Sequence, residues 1–152
     1  MYKIILFLTF SISTSLSLFA QTQEQEVQVV IETLFDGMRA GDSSMVASTF
    51  TSDAIMQTVT KNQAGEVVKL QGQLSQFLKA VGTPHEQVWD ERIGGFDIKI
   101  DGDLASAWTP YQFYAGDSFS HCGVNSFQMA KLNGKWKIMY IVDTRRQTKC
   151  IE

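Results

Sequence analysis

Among 152 residues the chain has two histidines, His85 and His121, and two cysteines, Cys122 and Cys150. His121 is the sharpest candidate for chemistry, because an imidazole titrates near neutral pH and can serve as general acid or base. Glu91, if it faces inward, could orient or charge it; otherwise Arg92 is the residue that faces the pocket. Trp89, Trp108, Gln112, Tyr114, Asn125, Phe127 and Tyr140 complete a set of aromatic residues with a few polar groups, the usual lining of a small-molecule pocket. The competing reading is structural: the aromatics fill the interior, and Gln112, Glu91 or a backbone group satisfies His121. Arg145-Arg146 could hold an anionic group at a pocket mouth or simply be a solvated strand end. His85, after Pro84, belongs in an exposed loop. No close Cys/His cluster is present, so no metal site is expected. There is no Gly-rich phosphate loop, nucleophile elbow or nucleotide fingerprint, so no cofactor is expected and kinase, hydrolase and dehydrogenase readings lack support.

The elements that must position these residues follow from periodicity. Between Gln23 and Ala40, Val27, Val30, Ile31, Leu34, Phe35 and Met38 recur at steps of three and four, one face of an amphipathic helix that Gly41 ends. Asp42 caps a short second helix reaching toward Phe50. Ala54 to Thr60 and Val67 to Leu70 read as strands around a turn at Asn62 to Gly65. Leu74, Phe77, Leu78 and Val81 mark a third helix, stopped by Gly82 and Pro84. Four long strands follow, Gln87 to Ile100, Leu104 to Tyr114, Phe119 to Leu132 and Lys135 to Asp143. They are separated by Asp101-Gly102, Ala115 to Ser118 and Asn133-Gly134, with Asp-Gly and Asn-Gly favoured in tight hairpins. Helices followed by a meander predict an α+β domain in which a strongly bent sheet wraps helices on one face.

Turn chemistry then predicts the register. A tight turn at Asn133-Gly134 pairs Phe127 with Tyr140 and Asn125 with Val142. Pairing Tyr114 with Phe119 sets Gln112 opposite His121 and Trp108 opposite Asn125. Because side chains alternate along a strand, one face would collect Trp108, Gln112, Tyr114, His121, Asn125, Phe127, Met129, Ile138 and Tyr140. The other would carry Tyr111, Phe113, Cys122, Ile141, Asp143 and Arg145. A regular ladder sets Glu91 beside Gln112; a bulge at Gly94-Gly95 would turn Arg92 inward instead.

Composition bounds the partners. With 13 Lys+Arg against 16 Asp+Glu and 44% apolar residues, one domain is expected. Met1-Tyr2-Lys3, the apolar run from Ile4 to Phe19 and the small Ala20 read as a cleaved export signal over residues 1–20, leaving a domain over 21–152. Cleavage removes Lys3 and moves the formal charge from −3 to −4, which argues against nucleic-acid partners. No stable membrane insertion is expected after cleavage, and the destination is periplasmic or secreted. There a tail folding back after the last strand could join Cys150 to Cys122 in a disulfide. Otherwise Cys122 is a small buried hydrophobe and Cys150 lies on a frayed end.

Ala40-Gly41-Asp42, Phe50, Asp53-Ala54 and the closing Gly134-Lys135-Trp136-Lys137-Ile138, set before and within four long strands, resemble the nuclear transport factor 2-like superfamily. They also resemble the SnoaL-like and lumazine-binding-like bacterial members of that group. His121-Cys122-Gly123-Val124-Asn125 with Asp143-Thr144-Arg145-Arg146 and Cys150 is similar to a subgroup of small exported members. The resemblance implies a cone-shaped α+β barrel of cystatin-like type, N-terminal helices packed in a strongly curved antiparallel sheet, with a pocket between them and frequent homodimerisation through the sheet. It does not choose a function. Ketosteroid-isomerase-like motifs, an Asp base with Tyr and a second acid, do not map cleanly. Scytalone-dehydratase-like members use His and Asp, but the regular register sends Asp143 away from His121. Three expectations follow: an exported protein binding a small apolar or planar ligand; an isomerase or dehydratase using His121; or a homodimeric interaction module with a filled cone.

Overall fold

The computed structural model describes residues 21–150, so the expected export segment lies outside the described residues. Helix α1 spans Gln23–Ala40. Thr22 accepts from the Gln25 backbone while the Gln25 side chain accepts from the Thr22 backbone, a reciprocal cap that satisfies two otherwise free donors. Gly41 closes the helix at φ 67°, a conformation that costs other L-residues more. Asp42 then accepts from the Ser44 and Met45 backbones and starts α2, Ser43–Thr49. The chain continues as β1 Phe50–Lys61, β2 Val67–Gly72, α3 Leu74–Gly82, β3 Trp89–Ile93, β4 Asp97–Asp101, β5 Leu104–Ala115, β6 Ser118–Leu132 and β7 Lys135–Thr144.

The strands form one curved, open sheet in the order β2-β1-β7-β6-β5-β3, with β4 also pairing β5. All pairings are antiparallel except β1 with β7. The expected strand from Gln87 to Ile100 is two strands: it breaks at Gly94-Gly95-Phe96, and both pieces lie along β5. Helix α1 lays Val27, Ile31, Leu34 and Phe35 on the inner face of the sheet, where Ala105, Ala107, Phe127, Met129, Trp136 and Ile138 complete the core. Phe35 meets Phe127 edge to face, with ring centroids 6.4 Å apart.

Two bulges decide which residues face inward. The Asn133-Gly134 turn has both residues at positive φ and sets the expected register from Leu132↔Lys135 to Met129↔Ile138. Met139 is then extra, so Gln128 meets Tyr140, Phe127 meets Ile141 and Asn125 meets Asp143. Likewise Tyr114 does pair with Phe119, but Ser120 is extra and Phe113 faces His121, Tyr111 faces Gly123 and Thr109 faces Asn125. An extra residue exchanges the two faces of a strand relative to its partner. The inner face therefore gains Thr109, Tyr111, Phe113, Ile141 and Asp143, and loses Trp108, Gln112, Tyr114 and Tyr140.

Candidate functional site

A cavity of about 560 Å³ lies between the helices and the inner face of the sheet. Leu34, Phe35 and Met38 of α1, Phe77 of α3, Met56 of β1, Trp89 and Phe113 supply an apolar wall. At one side converge Glu91, Tyr111, His121, Asn125, Asp143 and Arg145. Among the described residues, no group of His, Cys, Asp and Glu is placed to hold a metal ion.

Asp143 organises the polar side. One of its oxygens accepts from Thr58, and the other accepts from the Tyr111 hydroxyl at 3.1 Å and from Arg145 Nε at 2.8 Å. The Tyr111 hydroxyl also reaches the Thr144 carbonyl at 3.0 Å. This approach depends on Gly123 between His121 and Asn125: a Cβ there would lie 1.7 Å from the Thr144 oxygen and 2.8 Å from the Tyr111 ring. Burial, then the Asp143 and Glu91 carboxyls, push the Tyr111 phenol upward, so it stays a hydrogen-bond donor.

Glu91 accepts from Asn125 Nδ2 at 2.7 Å. Its carboxyl is largely removed from solvent, and this desolvation, reinforced by Asp143, raises its pKa from 4.5 to about 7 against the opposing pull of Asn125 and Arg145. His121 sits against Tyr111 and Phe113, centroids 5.8 and 5.1 Å away, with Ser120 Oγ 3.0 Å from its Nδ1. Burial and Arg145 lower its pKa, with Asp143 opposing, which keeps the ring neutral. A neutral imidazole, an acid near half ionisation and a fixed carboxylate–guanidinium pair can bind a polar head and move protons.

Trp89, Glu91, His121 and Asn125 meet at the cavity, as their sequence positions led one to expect. Five other candidates point elsewhere. Arg92 is outside, its guanidinium 3.9 Å from the Tyr114 ring centroid and bonded to Asp90 at 2.7 Å. Gln112 accepts from the Tyr114 hydroxyl, Trp108 is 52% exposed, and Tyr140 donates to Gln57 at 2.7 Å. The bulges at Ser120 and Met139 turn Trp108, Gln112, Tyr114 and Tyr140 outward, and Arg92 goes with them because it pairs with Gln112. Phe127 does face inward, but lies fully buried beneath α1 instead of at the cavity. Tyr111, Phe113 and Asp143 were assigned to the wrong face from sequence, and the single available signal was the run of polar and aromatic residues on both faces of these strands. His85 is exposed and stacks on Trp89 at 4.6 Å.

Cys122 and Cys150 are joined in a disulfide. The tail it holds pairs with β6, Cys122 and Arg146 exchanging backbone hydrogen bonds of 2.8 and 2.9 Å. Arg145 is thus held between the end of β7 and this bridge, with its side chain half-exposed at the cavity rim.

The family described as "Putative lumazine-binding" matches residues 22–142. No curated protein matches the chain. Among solved structures, a Mycobacterium tuberculosis protein of unknown function shares 14% identity and a TM-score of 0.66 over 82% of this chain and 72% of its own. A Nostoc punctiforme protein of unknown function with a cystatin-like fold has 14% identity, a TM-score of 0.63 and coverages of 84% and 96%. A Streptomyces avermitilis protein described as a "putative dehydratase from the NTF2-like family" has 13% identity, a TM-score of 0.62 and coverages of 82% and 96%. At these identities the likeness to solved structures is one of fold. With a family match spanning most of its length, the chain belongs to the "Putative lumazine-binding" family, and its helices in a curved sheet have the nuclear transport factor 2-like, cystatin-like fold.

Proposed function

We propose that the protein binds a small, planar, largely apolar molecule between the helices and the sheet, with the ligand's polar end at Glu91, Asn125 and His121. The observation that carries this reading is a cavity of about 560 Å³ with an apolar wall and convergent polar groups on one side. It favours a ligand over a filled cone. The family description makes lumazine a reasonable probe. The disulfide accords with an exported, periplasmic or secreted protein, and exposed Trp108 on the outer sheet face accords with a sheet-mediated homodimer.

Calorimetric titration with lumazine and with 2-naphthol tests the reading. Saturable one-to-one binding of either probe, lost in Ala80→Trp at the exposed cavity rim, supports it. Failure of both probes, or undiminished binding by Ala80→Trp, refutes it. A second reading, an isomerase or dehydratase, draws on Glu91, whose pKa of about 7 suits proton transfer better than a permanently ionised carboxylate. In that reading His121 assists as a neutral donor or acceptor, and Glu91→Gln abolishes turnover while leaving binding intact.

A further inference from the structure

The Glu91–Asn125 pair has a directional pattern that narrows the ligand class. Asn125 uses its amide nitrogen to donate to Glu91 Oε1. Among the described residues, neither Glu91 Oε2 nor Asn125 Oδ1 has a hydrogen-bond partner, and neither is shut away from access. Both residues line the cavity, so these two atoms are free to meet a ligand. Asp143, by contrast, is engaged by Thr58, Tyr111 and Arg145 and has little capacity left.

A carboxyl group and a carboxamide joined in this way leave a ligand two groups of opposite sense. The protonated acid donates through its second oxygen, and the amide carbonyl accepts. A cis-amide edge in a ring, a carbonyl next to an N–H, has the complementary pattern. We propose that Glu91, as a carboxylic acid, donates to a ring carbonyl while Asn125 Oδ1 accepts from the adjacent ring N–H, so that the site selects planar lactams and imides. The inference rests on the binding reading above and adds the ligand class.

The surroundings favour the acid form. The charged and titratable groups facing Glu91 are Asp143 from β7, Arg145 just beyond its end, Tyr111 from β5 and His121 from β6; α1 and α3 contribute Leu34, Phe35, Met38 and Phe77. Arg145 is paired with Asp143 and offsets only part of the cost of an ionised Glu91, and among the described residues no other Lys or Arg lines the cavity. A buried acid without a counter-ion of its own takes up a proton.

The test compares lumazine with 1,3-dimethyllumazine, which keeps both ring carbonyls but has no ring N–H, on the purified wild-type protein and on Glu91→Gln. Gln keeps a donor at the second position but does not titrate. Methylation is expected to weaken wild-type binding at least tenfold, because the Asn125 acceptor is then left unpaired. The ratio of Glu91→Gln affinity to wild-type affinity for lumazine is expected to rise about tenfold from pH 6 to pH 8, as Glu91 ionises near 7. Taking the ratio at each pH cancels the probe's own ionisation. Equal binding of the two lumazines, a ratio flat with pH, or a ratio falling with pH overturns the inference. The methyl comparison uses wild-type protein alone, so it stands even if Glu91→Gln folds poorly. If 2-naphthol binds while the lumazine comparisons fail, the lactam inference falls and the binding reading survives; if neither probe binds, both fall.

Discussion

Glu91→Gln also has a measurable consequence for stability. In the unfolded chain this carboxyl ionises near its ordinary 4.5, whereas in the fold burial and Asp143 raise it to about 7. Between those values the unfolded state has lost a proton that the native state retains, so unfolding releases one proton and stability falls as pH rises. The slope is about 1.4 kcal/mol per pH unit, and the window from 4.5 to about 7 gives about 3 kcal/mol in total. The contribution is fully present below 4.5 and is lost by the time pH has risen through about 7. Gln at this position has no such dependence. Urea unfolding of both proteins from pH 4 to pH 8 is therefore expected to show the stability of wild type minus that of Glu91→Gln dropping by about 3 kcal/mol. A difference constant to within about 0.5 kcal/mol across that range would refute the raised pKa. It would also remove the physical basis for treating Glu91 as an acid at neutral pH.

The polar side of the cavity makes three further predictions. Gly123→Ala places a methyl group where the Thr144 carbonyl and Tyr111 ring now sit, so β7 must shift; urea unfolding should register a loss of about 3 kcal/mol or more, with weakened probe binding. Tyr111→Phe removes the donor shared by Asp143 and Thr144 and should cost about 2 kcal/mol, measured in the same way. Replacing Cys122 and Cys150 by Ser opens a closure spanning 28 positions and should destabilise the protein by about 3 to 4 kcal/mol. Wild type treated with reductant should match that double variant in its urea midpoint, and wild type kept oxidised should not.

Whatever rests on a few neighbouring residues was legible in the chain. The spacing of Val27, Ile31, Leu34, Phe35 and Met38 marked the buried face of α1, and Gly41 and Asp42 marked the break between the first two helices. Asn133-Gly134 fixed the start of the β6–β7 ladder, and Tyr114 meets Phe119 as its turn implied. The faces of the strands beyond those starts were not legible. Nothing in Phe119-Ser120-His121 or Ile138-Met139-Tyr140 marks Ser120 or Met139 as an extra residue, because a bulge answers to the curvature of the whole sheet over α1 and not to local propensity. Both slips run by one residue, and one residue is enough to move Asp143, Tyr111 and Phe113 to the cavity and Trp108, Gln112 and Tyr140 away from it. Glu91 faces inward for a different reason: the hairpin turn falls at Gly102-Asp103 and not at Asp101-Gly102, so that Asp101 meets Leu104, and the break at Gly94-Gly95 then steps β3 by one, setting Glu91 opposite the inward Phe113 in place of Gln112. The sequence by itself determined the helices, the long strands from β5 to β7, their order and the turns at Gly41-Asp42 and Asn133-Gly134, since these depend on neighbours along the chain. Only the tertiary structure decided which chemical groups meet, since that depends on where a bent sheet absorbs its extra residues.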